Sequence, residues 1–323
     1  MKRILIPATD LWLYPIGLGA AEAGRRYDGA QTDRLFGTYM ELGGNLIDTA
    51  HVYSNWIPGE RNRSERAIGD WLVRTGKRHE IILMTKGGHH EVDRNSPIFR
   101  KRRLKREDMT EDLNGSLKKL RTDYIDIYFY HRDDRDLPVE YMIETMEQFV
   151  REGKIRYYAC SNWDADRMQA AYEYCLKKGY RGFVADQSLF NIGMKHMKEP
   201  GDTSLRCTDG EAYQFHEDHP EVLEMAFSSN CNGFFQRYLT EGAEKVMNSD
   251  YFTENNLRVA QKIQALTEKY DCTVTQAVTG FFYHQPFSCI PLYGTASPAH
   301  IRDVCGTLDI PFTADDYKDI WSG

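Results

Sequence analysis

Four residues in the first 131 positions have the types needed for proton transfer: Asp48, Tyr53, Lys86 and His131. Each stands at or just after the end of a short apolar run. A tyrosine keeps its proton at neutral pH because its ordinary pKa is about 10. A neighbouring ammonium makes that proton easier to release. We therefore expect Tyr53 to donate a proton, with Lys86 beside it and Asp48 holding Lys86.

His131 suits a second task, because an imidazole can donate a hydrogen bond to an oxygen on which negative charge develops. Together the four residues fit the reduction of a carbonyl group. The hydride must then come from a nicotinamide cofactor, since no side chain supplies one. An alternative is a barrel aldolase in which Lys86 forms a Schiff base. That reading leaves Ser161, Asn162 and Gln187 without a purpose.

Short apolar runs alternate with helical patterns along the whole chain, which indicates βα units and a parallel sheet. There are eight such runs, the number found in a (β/α)8 TIM barrel. They cover residues 14–18, 45–48, 80–85, 125–130, 155–160, 182–186, 222–227 and 288–292. In such a barrel the strand carboxyl ends meet on one face. The polar residues that follow the runs should therefore lie together: Asp48, Lys86, His131, Ser161, Asn162, Gln187 and Ser228.

Helices are predicted between the runs, several of them ended by glycine. They cover residues 32–42, 64–75, 139–152, 164–178, 211–215, 255–270 and 274–285. The spacing from Thr208 to Glu211 predicts a capping box for the short helix. Residues 4–6 and 11–13 predict a β-hairpin that plugs the barrel floor. With no linker or repeat between these elements, we expect a single domain over residues 1–323.

Composition excludes several classes of protein. The chain is 41% hydrophobic and 28% charged, which is ordinary for a globular protein. No apolar stretch is long enough to cross a membrane, and the N-terminus lacks a secretory pattern, so we expect a cytoplasmic protein. The seven cysteines contain no Cys-x-x-Cys motif and predict buried thiols. A net charge of -7 argues against nucleic-acid binding, and the basic run 100–106 is interpreted as a solvated face.

The sequence resembles the aldo-keto reductase superfamily over nearly its whole length. The motifs that carry the resemblance are Gly17-Leu18-Gly19, Asp48-Thr49-Ala50 with Tyr53-Ser54, Thr85-Lys86, His131, Gly153-Lys154-Ile155-Arg156, Ser161-Asn162, Gln187 with Asn191, and Ala226-Phe227-Ser228. The resemblance implies reduction of an aldehyde or ketone by NADPH, or by NADH. It implies a catalytic tetrad of Asp48, Tyr53, Lys86 and His131.

The resemblance also implies the cofactor site. Ser161, Asn162 and Gln187 would hold the nicotinamide carboxamide, and Phe227 would stack on the ring with Ser228 beside it. Further cofactor contacts would come from Gly294, Thr295, Ser297 and His300. His300 stands where the family often has an arginine, so the 2'-phosphate of NADPH would meet a titratable group.

Residues 55–63 form a longer loop after Tyr53 than many family members have. Trp56 in this loop, His89 and Trp163 are candidates for the substrate pocket. A pocket mixing aromatic and polar groups suits a sugar-like carbonyl compound.

Two further hypotheses remain. Some relatives of this family are cofactor-sensing regulatory partners, although a complete tetrad argues against that role here. Two groups of residues are candidate metal ligands: His89 with His90, and His216 and His219 with Glu217 and Asp218. We interpret both groups as solvated or structural and predict no metal. The sequence leaves the oligomeric state open.

Overall fold

The computed structural model describes residues 3–57, 59–90 and 102–321. Its centre is a closed barrel of eight parallel strands in the order β10-β3-β4-β5-β6-β7-β8-β9. The strands are β3 (Gly17–Gly19), β4 (Leu46–Asp48), β5 (Ile82–Gly87), β6 (Ile125–Tyr130), β7 (Ile155–Ser161), β8 (Phe183–Gln187), β9 (Leu223–Ala226) and β10 (Cys289–Gly294). The predicted (β/α)8 barrel is confirmed, with each strand within a few residues of its predicted position.

Helices surround this barrel in the described parts of the chain. They are α1 (Ala30–Glu41), α2 (Arg63–Thr75), α3 (Arg106–Leu120), α4 (Val139–Arg151), α5 (Ala165–Lys178), α6 (Gly210–Asp218), α7 (Phe234–Glu241), α8 (Glu254–Tyr270), α9 (Val274–Gly280), α10 (Pro298–Cys305) and α11 (Ala314–Trp321). Short 3-10 helices cover Lys77–Glu80, Met194–His196, Cys231–Gly233, Ala243–Lys245, Phe281–His284 and Gly306–Asp309.

Two helix predictions need correction. The capping box at Thr208 is wrong: α6 begins after Asp209, and the Thr208 hydroxyl bonds instead to Ser188. The buried Ser188 hydroxyl, directly after β8, was a better partner than an exposed backbone N–H. The helix predicted over 274–285 is α-helical only to Gly280 and then tightens into the 3-10 helix Phe281–His284.

The N-terminal hairpin pairs β1 (Ile4–Leu5) with β2 (Trp12–Leu13), with Ile4 opposite Leu13. Its buried residues Ile6, Leu11 and Leu13 belong to the same apolar cluster as the residues inside the barrel. Because Leu46 and Ile82 at the amino ends of β4 and β5 are in this cluster, the hairpin closes the amino end of the barrel. The predicted plug is confirmed, and the opposite, carboxyl end is left for the site.

The remaining core lies between the barrel and its helices. At one crossing, α2 approaches α3 through Gly69. A Cβ placed on Gly69 would lie 2.1 Å from the backbone oxygen of Lys119. Backbone cannot yield as a side chain can, so the two helices would have to separate.

Gly69→Ala should therefore lower the free energy of unfolding by about 1–3 kcal/mol, the usual cost of overpacking. Gly37→Ala is the matched control, because a Cβ on Gly37 in α1 meets nothing within 4 Å. That variant should be neutral or gain up to about 1 kcal/mol from helix propensity. Chemical denaturation measures both, and equal effects would contradict this description of the crossing.

Candidate active site

Four side chains meet at the carboxyl end of the barrel because neighbouring strands end there. Asp48 ends β4, Lys86 lies near the end of β5, and His131 directly follows β6. Tyr53 comes from the turn after β4. The Lys86 Nζ lies 2.7 and 2.8 Å from the two oxygens of Asp48 and 3.1 Å from the Tyr53 hydroxyl. The structure thus brings together the residues that the sequence placed in one site.

Lys86 is fully buried, and its ammonium donates to Asp48, to the Thr49 carbonyl at 2.9 Å and to Tyr53. Burial acts to lower the pKa of Lys86, but the Asp48 carboxylate and Tyr53 outweigh it, so that pKa is raised above its usual value. The group stays a cation with all three donors engaged. A Schiff base needs a free amine, so this geometry disfavours the aldolase hypothesis.

Tyr53 is half-buried, and the Lys86 Nζ also lies 4.8 Å from the centre of its ring. Burial raises the pKa of Tyr53, while Lys86 acts in the opposite direction without cancelling it. The expected effect of Lys86 is therefore present, but the net pKa is higher than that of a free tyrosine. Tyr53 holds its proton across the neutral range.

His131 packs edge-on against Tyr53, with ring centres 5.7 Å apart. Burial and the nearby His89 and Arg132 hold the pKa of His131 well below its usual value. The imidazole is therefore neutral. Its Nδ1 is buried and has no hydrogen-bond partner among the described residues.

The proposed carboxamide contacts adjoin this cluster on β7 and β8. Gln187 donates to Asp48 at 3.2 Å, and its backbone oxygen accepts from the Ser161 hydroxyl at 2.7 Å. Asn162 donates to Ser161 at 2.9 Å and adopts a left-handed backbone with φ 60°. A hydrogen-bonded chain therefore runs from Asn162 to Asp48 and Lys86.

The other proposed cofactor residues line two cavities. Phe227 and Ser228 border one of about 240 Å³. The larger, of about 860 Å³, is bordered by Gly294, Thr295, Ser297 and His300. The ring nitrogen Nδ1 of His300 lies 3.1 Å from the Thr295 hydroxyl.

Arg26 and Arg237 also line the larger cavity, and the sequence analysis missed both. They come from the loop after β3 and from α7. Arg237 lies one turn into α7, a helix that the sequence analysis also missed.

The substrate-pocket candidates separate in the structure. His89 lies at the rim with its ring centre 4.7 Å from that of His131, and burial lowers the pKa of His89 to about 3. Trp56 is partly exposed in the turn after Tyr53. Trp163 is 1% exposed and packs in the core against Phe183, with its indole donating to the Arg132 carbonyl. Trp163 is thus a packing residue, because its ring faces the helices and not the rim.

The basic run is ion-paired where the structure describes it; Arg100 and Lys101 lie outside the described residues. Arg102 pairs with Asp134 and Asp136, and Arg103 pairs with Asp112 at 2.7 Å. The exposed Arg102 fits the interpretation of the run as a solvated face, whereas Arg103 is largely buried.

The histidines considered as metal ligands lie in different surroundings. The rings of His89 and His90 are tilted against each other with their centres 4.0 Å apart. His219 bonds to Gln169, whereas His216 is fully buried and faces Asp186 and Glu224. Of the two roles expected for this group, solvated or structural, the burial of His216 fits the structural one, because α6 turns this residue toward the barrel.

No helix within residues 3–57, 59–90 and 102–321 is long and apolar enough to span a membrane.

Comparisons with known proteins show the family to which the chain belongs. The model of the "Aldo/keto reductase family" matches residues 15–322. An NADP(+) aryl-alcohol dehydrogenase from Phanerodontia chrysosporium is 30% identical over 97% of this chain and 83% of its own length. The aldo-keto reductase YhdN from Bacillus subtilis is 26% identical over 99% of this chain and 92% of its own. This chain belongs to the aldo/keto reductase family.

A more distant likeness bears on the regulatory hypothesis. A probable voltage-gated potassium channel subunit beta from Oryza sativa subsp. japonica is 28% identical over 58% of this chain and 54% of its own length.

The Lys86–Asp48 contact yields a stability prediction. Asp48→Asn leaves the buried ammonium without a counter-charge and should lower the free energy of unfolding by about 3–5 kcal/mol. Asp48→Asn combined with Lys86→Met removes both charges and should recover most of that loss. Denaturant titration at neutral pH measures the free energy of unfolding of each variant. A loss below about 1 kcal/mol in Asp48→Asn, the range of exposed pairs, would contradict a buried ion pair.

Proposed function

We propose that this protein reduces an aldehyde or ketone with a nicotinamide cofactor, and that Tyr53 donates the proton. The observation that carries the proposal is the contact of the buried Lys86 ammonium with both Asp48 and the Tyr53 hydroxyl. A bound reduced nicotinamide supplies the hydride. Family membership supports this cofactor class.

Each residue of the tetrad has its own role in the proton transfer. Tyr53 gives its proton to the carbonyl oxygen as negative charge develops there. Lys86 stabilises the tyrosinate that is left, and Asp48 keeps Lys86 charged and in place. His131, being neutral, donates one N–H to the same carbonyl oxygen. Each role uses the protonation state that the local pKa direction favours.

The side-chain amides of Asn162 and Gln187 fit a carboxamide, which offers both a donor and an acceptor. Phe227 offers a ring for stacking. The cavity that Gly294, Thr295, Ser297 and His300 border would take the rest of the dinucleotide, and Arg26 and Arg237 add positive charge there. We propose NADPH as the preferred cofactor, with NADH accepted. The NADP(+) in the name of the Phanerodontia relative supports this order.

For the substrate we propose a small polar carbonyl compound, sugar-like in its hydroxyl groups. His89 packs against His131 and offers a polar side. Trp56 follows Tyr53 in the turn after β4 and would offer an aromatic one. Because one relative is named for aryl alcohols, aromatic aldehydes belong in the same first panel.

A cofactor-sensing regulatory role is the second candidate, on the strength of the channel-subunit likeness. The complete tetrad favours turnover. Steady oxidation of NADPH by a carbonyl panel would separate the two functions.

We place the activity in the cytoplasm and treat residues 1–323 as one catalytic unit. All seven cysteines are free in the structure, as is usual in a reducing compartment.

Tyr53→Phe tests the proton donor. It should lower kcat by at least about 100-fold, the usual cost of losing a general acid, and leave the Kd for NADPH nearly unchanged. Tyr124→Phe, a surface tyrosine that stacks on His79, is the control and should keep full activity. Turnover within a few-fold of wild type in Tyr53→Phe would refute the mechanism.

His300→Ala tests the phosphate contact. The His300 imidazole can hydrogen-bond a 2'-phosphate, and a hydrogen bond to a charged group is worth about 1.5–3 kcal/mol. The variant should therefore lose about tenfold or more of the preference for NADPH over NADH. Fluorescence titration at one pH gives the ratio of the two dissociation constants in each protein. Identical ratios in wild type and variant would show that His300 does not contact the phosphate.

A further inference from the structure

A second cluster of ionisable side chains lies outside the active site, between the barrel and α6. It consists of Asp186 on β8, Glu224 on β9 and His216 on α6, which are 1%, 0% and 0% exposed. Neighbouring residues on a strand face opposite sides. Since Gln187 reaches Asp48 at the site, Asp186 faces the other way, toward α6.

The donor atoms of the three residues converge. The His216 Nε2 lies 3.0 Å from Glu224 Oε2 and 3.6 Å from Asp186 Oδ2. All three atoms lie within 4.8 Å of one another. Zinc bonds to imidazole and carboxylate are about 2.1 Å long, so the donors of a tetrahedral site lie roughly 3.4 Å apart. The two distances from His216 Nε2 lie on either side of that spacing, and the cluster would supply three of the four donors.

Hydrogen bonds on the outer side of each group fix which atoms face inward. The His216 Nδ1 lies 3.2 Å from the Val222 carbonyl. Because a carbonyl only accepts, Nδ1 carries the proton, and in the neutral ring Nε2 presents a lone pair. Ser188 donates to Glu224 Oε1 at 3.1 Å, and the Cys160 thiol donates to Asp186 Oδ1 at 3.5 Å.

When Nε2 carries no proton, three inward lone pairs face one another in a buried space. In that state His216 Nε2 and Glu224 Oε2 have no hydrogen-bond partner in the described part of the chain. A proton on Nε2 would instead bond to Glu224 at 3.0 Å. It would balance one carboxylate, and the second would have to take up a proton or stay an unbalanced buried charge. A divalent cation would serve all three lone pairs and balance both carboxylates. The outer hydrogen bonds are the kind that orient metal ligands, with histidine donating to a backbone carbonyl and carboxylates accepting.

We propose that Asp186, His216 and Glu224 bind one divalent transition-metal ion of the zinc class as a structural site. Imidazole with two carboxylates suits zinc better than magnesium or calcium, which take oxygen ligands. The ion would tie α6 to β8 and β9. β8 carries Gln187 and β9 leads to Phe227, and both residues belong to the proposed cofactor site. The ion would therefore stabilise these two strands from the side that faces α6. The proposal does not depend on the reductase activity.

The test uses Zn²⁺ and the whole protein purified without a histidine tag. The protein is unfolded in denaturant with chelator and refolded with or without Zn²⁺, because a closed site exchanges metal poorly. Elemental analysis after desalting should find about one zinc per chain. The thermal midpoint should rise by about 5 °C when free zinc exceeds Kd by about 100-fold.

His219→Gln is the matched control, since it removes a histidine three residues away that bonds to Gln169. It should keep the zinc, whereas His216→Gln should lose it. Glu224→Gln is the second variant should His216→Gln fail to fold, and it should lose zinc as well. Wild-type protein that refolds with no bound zinc and an unchanged thermal midpoint would overturn the proposal, as would zinc retained in a folded His216→Gln.

Discussion

The site depends on one buried ion pair, Lys86 with Asp48. Removing an ammonium and a carboxylate from water costs several kcal/mol for each charge, and only close, complete pairing offsets that cost. The barrel supplies the pairing by placing the two residues on adjacent parallel strands, β4 and β5. The third donor of Lys86 is then directed to Tyr53. The contacts that stabilise the Lys86 ammonium therefore also place it next to Tyr53, the proposed proton donor.

The same cation helps to determine the charge of its neighbours. Burial, His89, Arg132 and Lys86 all act to keep His131 neutral. Burial keeps the proton on Tyr53 although Lys86 works against it. The site thus holds a neutral acid, a neutral hydrogen-bond donor and a fixed cation within a few ångströms. Such a set is suited to an oxygen that becomes negative during reduction.

Much of this could be predicted from the sequence because barrel geometry is regular. Apolar runs of the right length gave the eight strands, and the rule that polar residues gather after parallel strands located the tetrad. The direction of individual side chains was harder to predict. Trp163 follows the same strand as Ser161, yet its ring turns into the core. No local pattern distinguishes the two outcomes. The short helices α7, α10 and α11 were also missed, because fewer than three turns give little periodicity. The 15-residue helix α3 was missed as well.

The cluster of Asp186, His216 and Glu224 could not be predicted, since its members come from three elements and meet only after α6 packs on the barrel. The His216 and His219 spacing was visible, but it pointed to a pair that the structure separates. Long-range convergence of this kind needs the fold. The tetrad could be predicted from the sequence only because its members follow strands whose carboxyl ends must meet.

The central claim is that a nicotinamide hydride reaches the carbonyl carbon at this site. NADPH carrying deuterium at both C4 positions of the nicotinamide, incubated with the protein and a carbonyl panel, tests it most directly. Mass spectrometry of the alcohol products should find one deuterium on the former carbonyl carbon. Products without deuterium for every substrate, together with a borohydride-trapped imine on Lys86, would contradict the account.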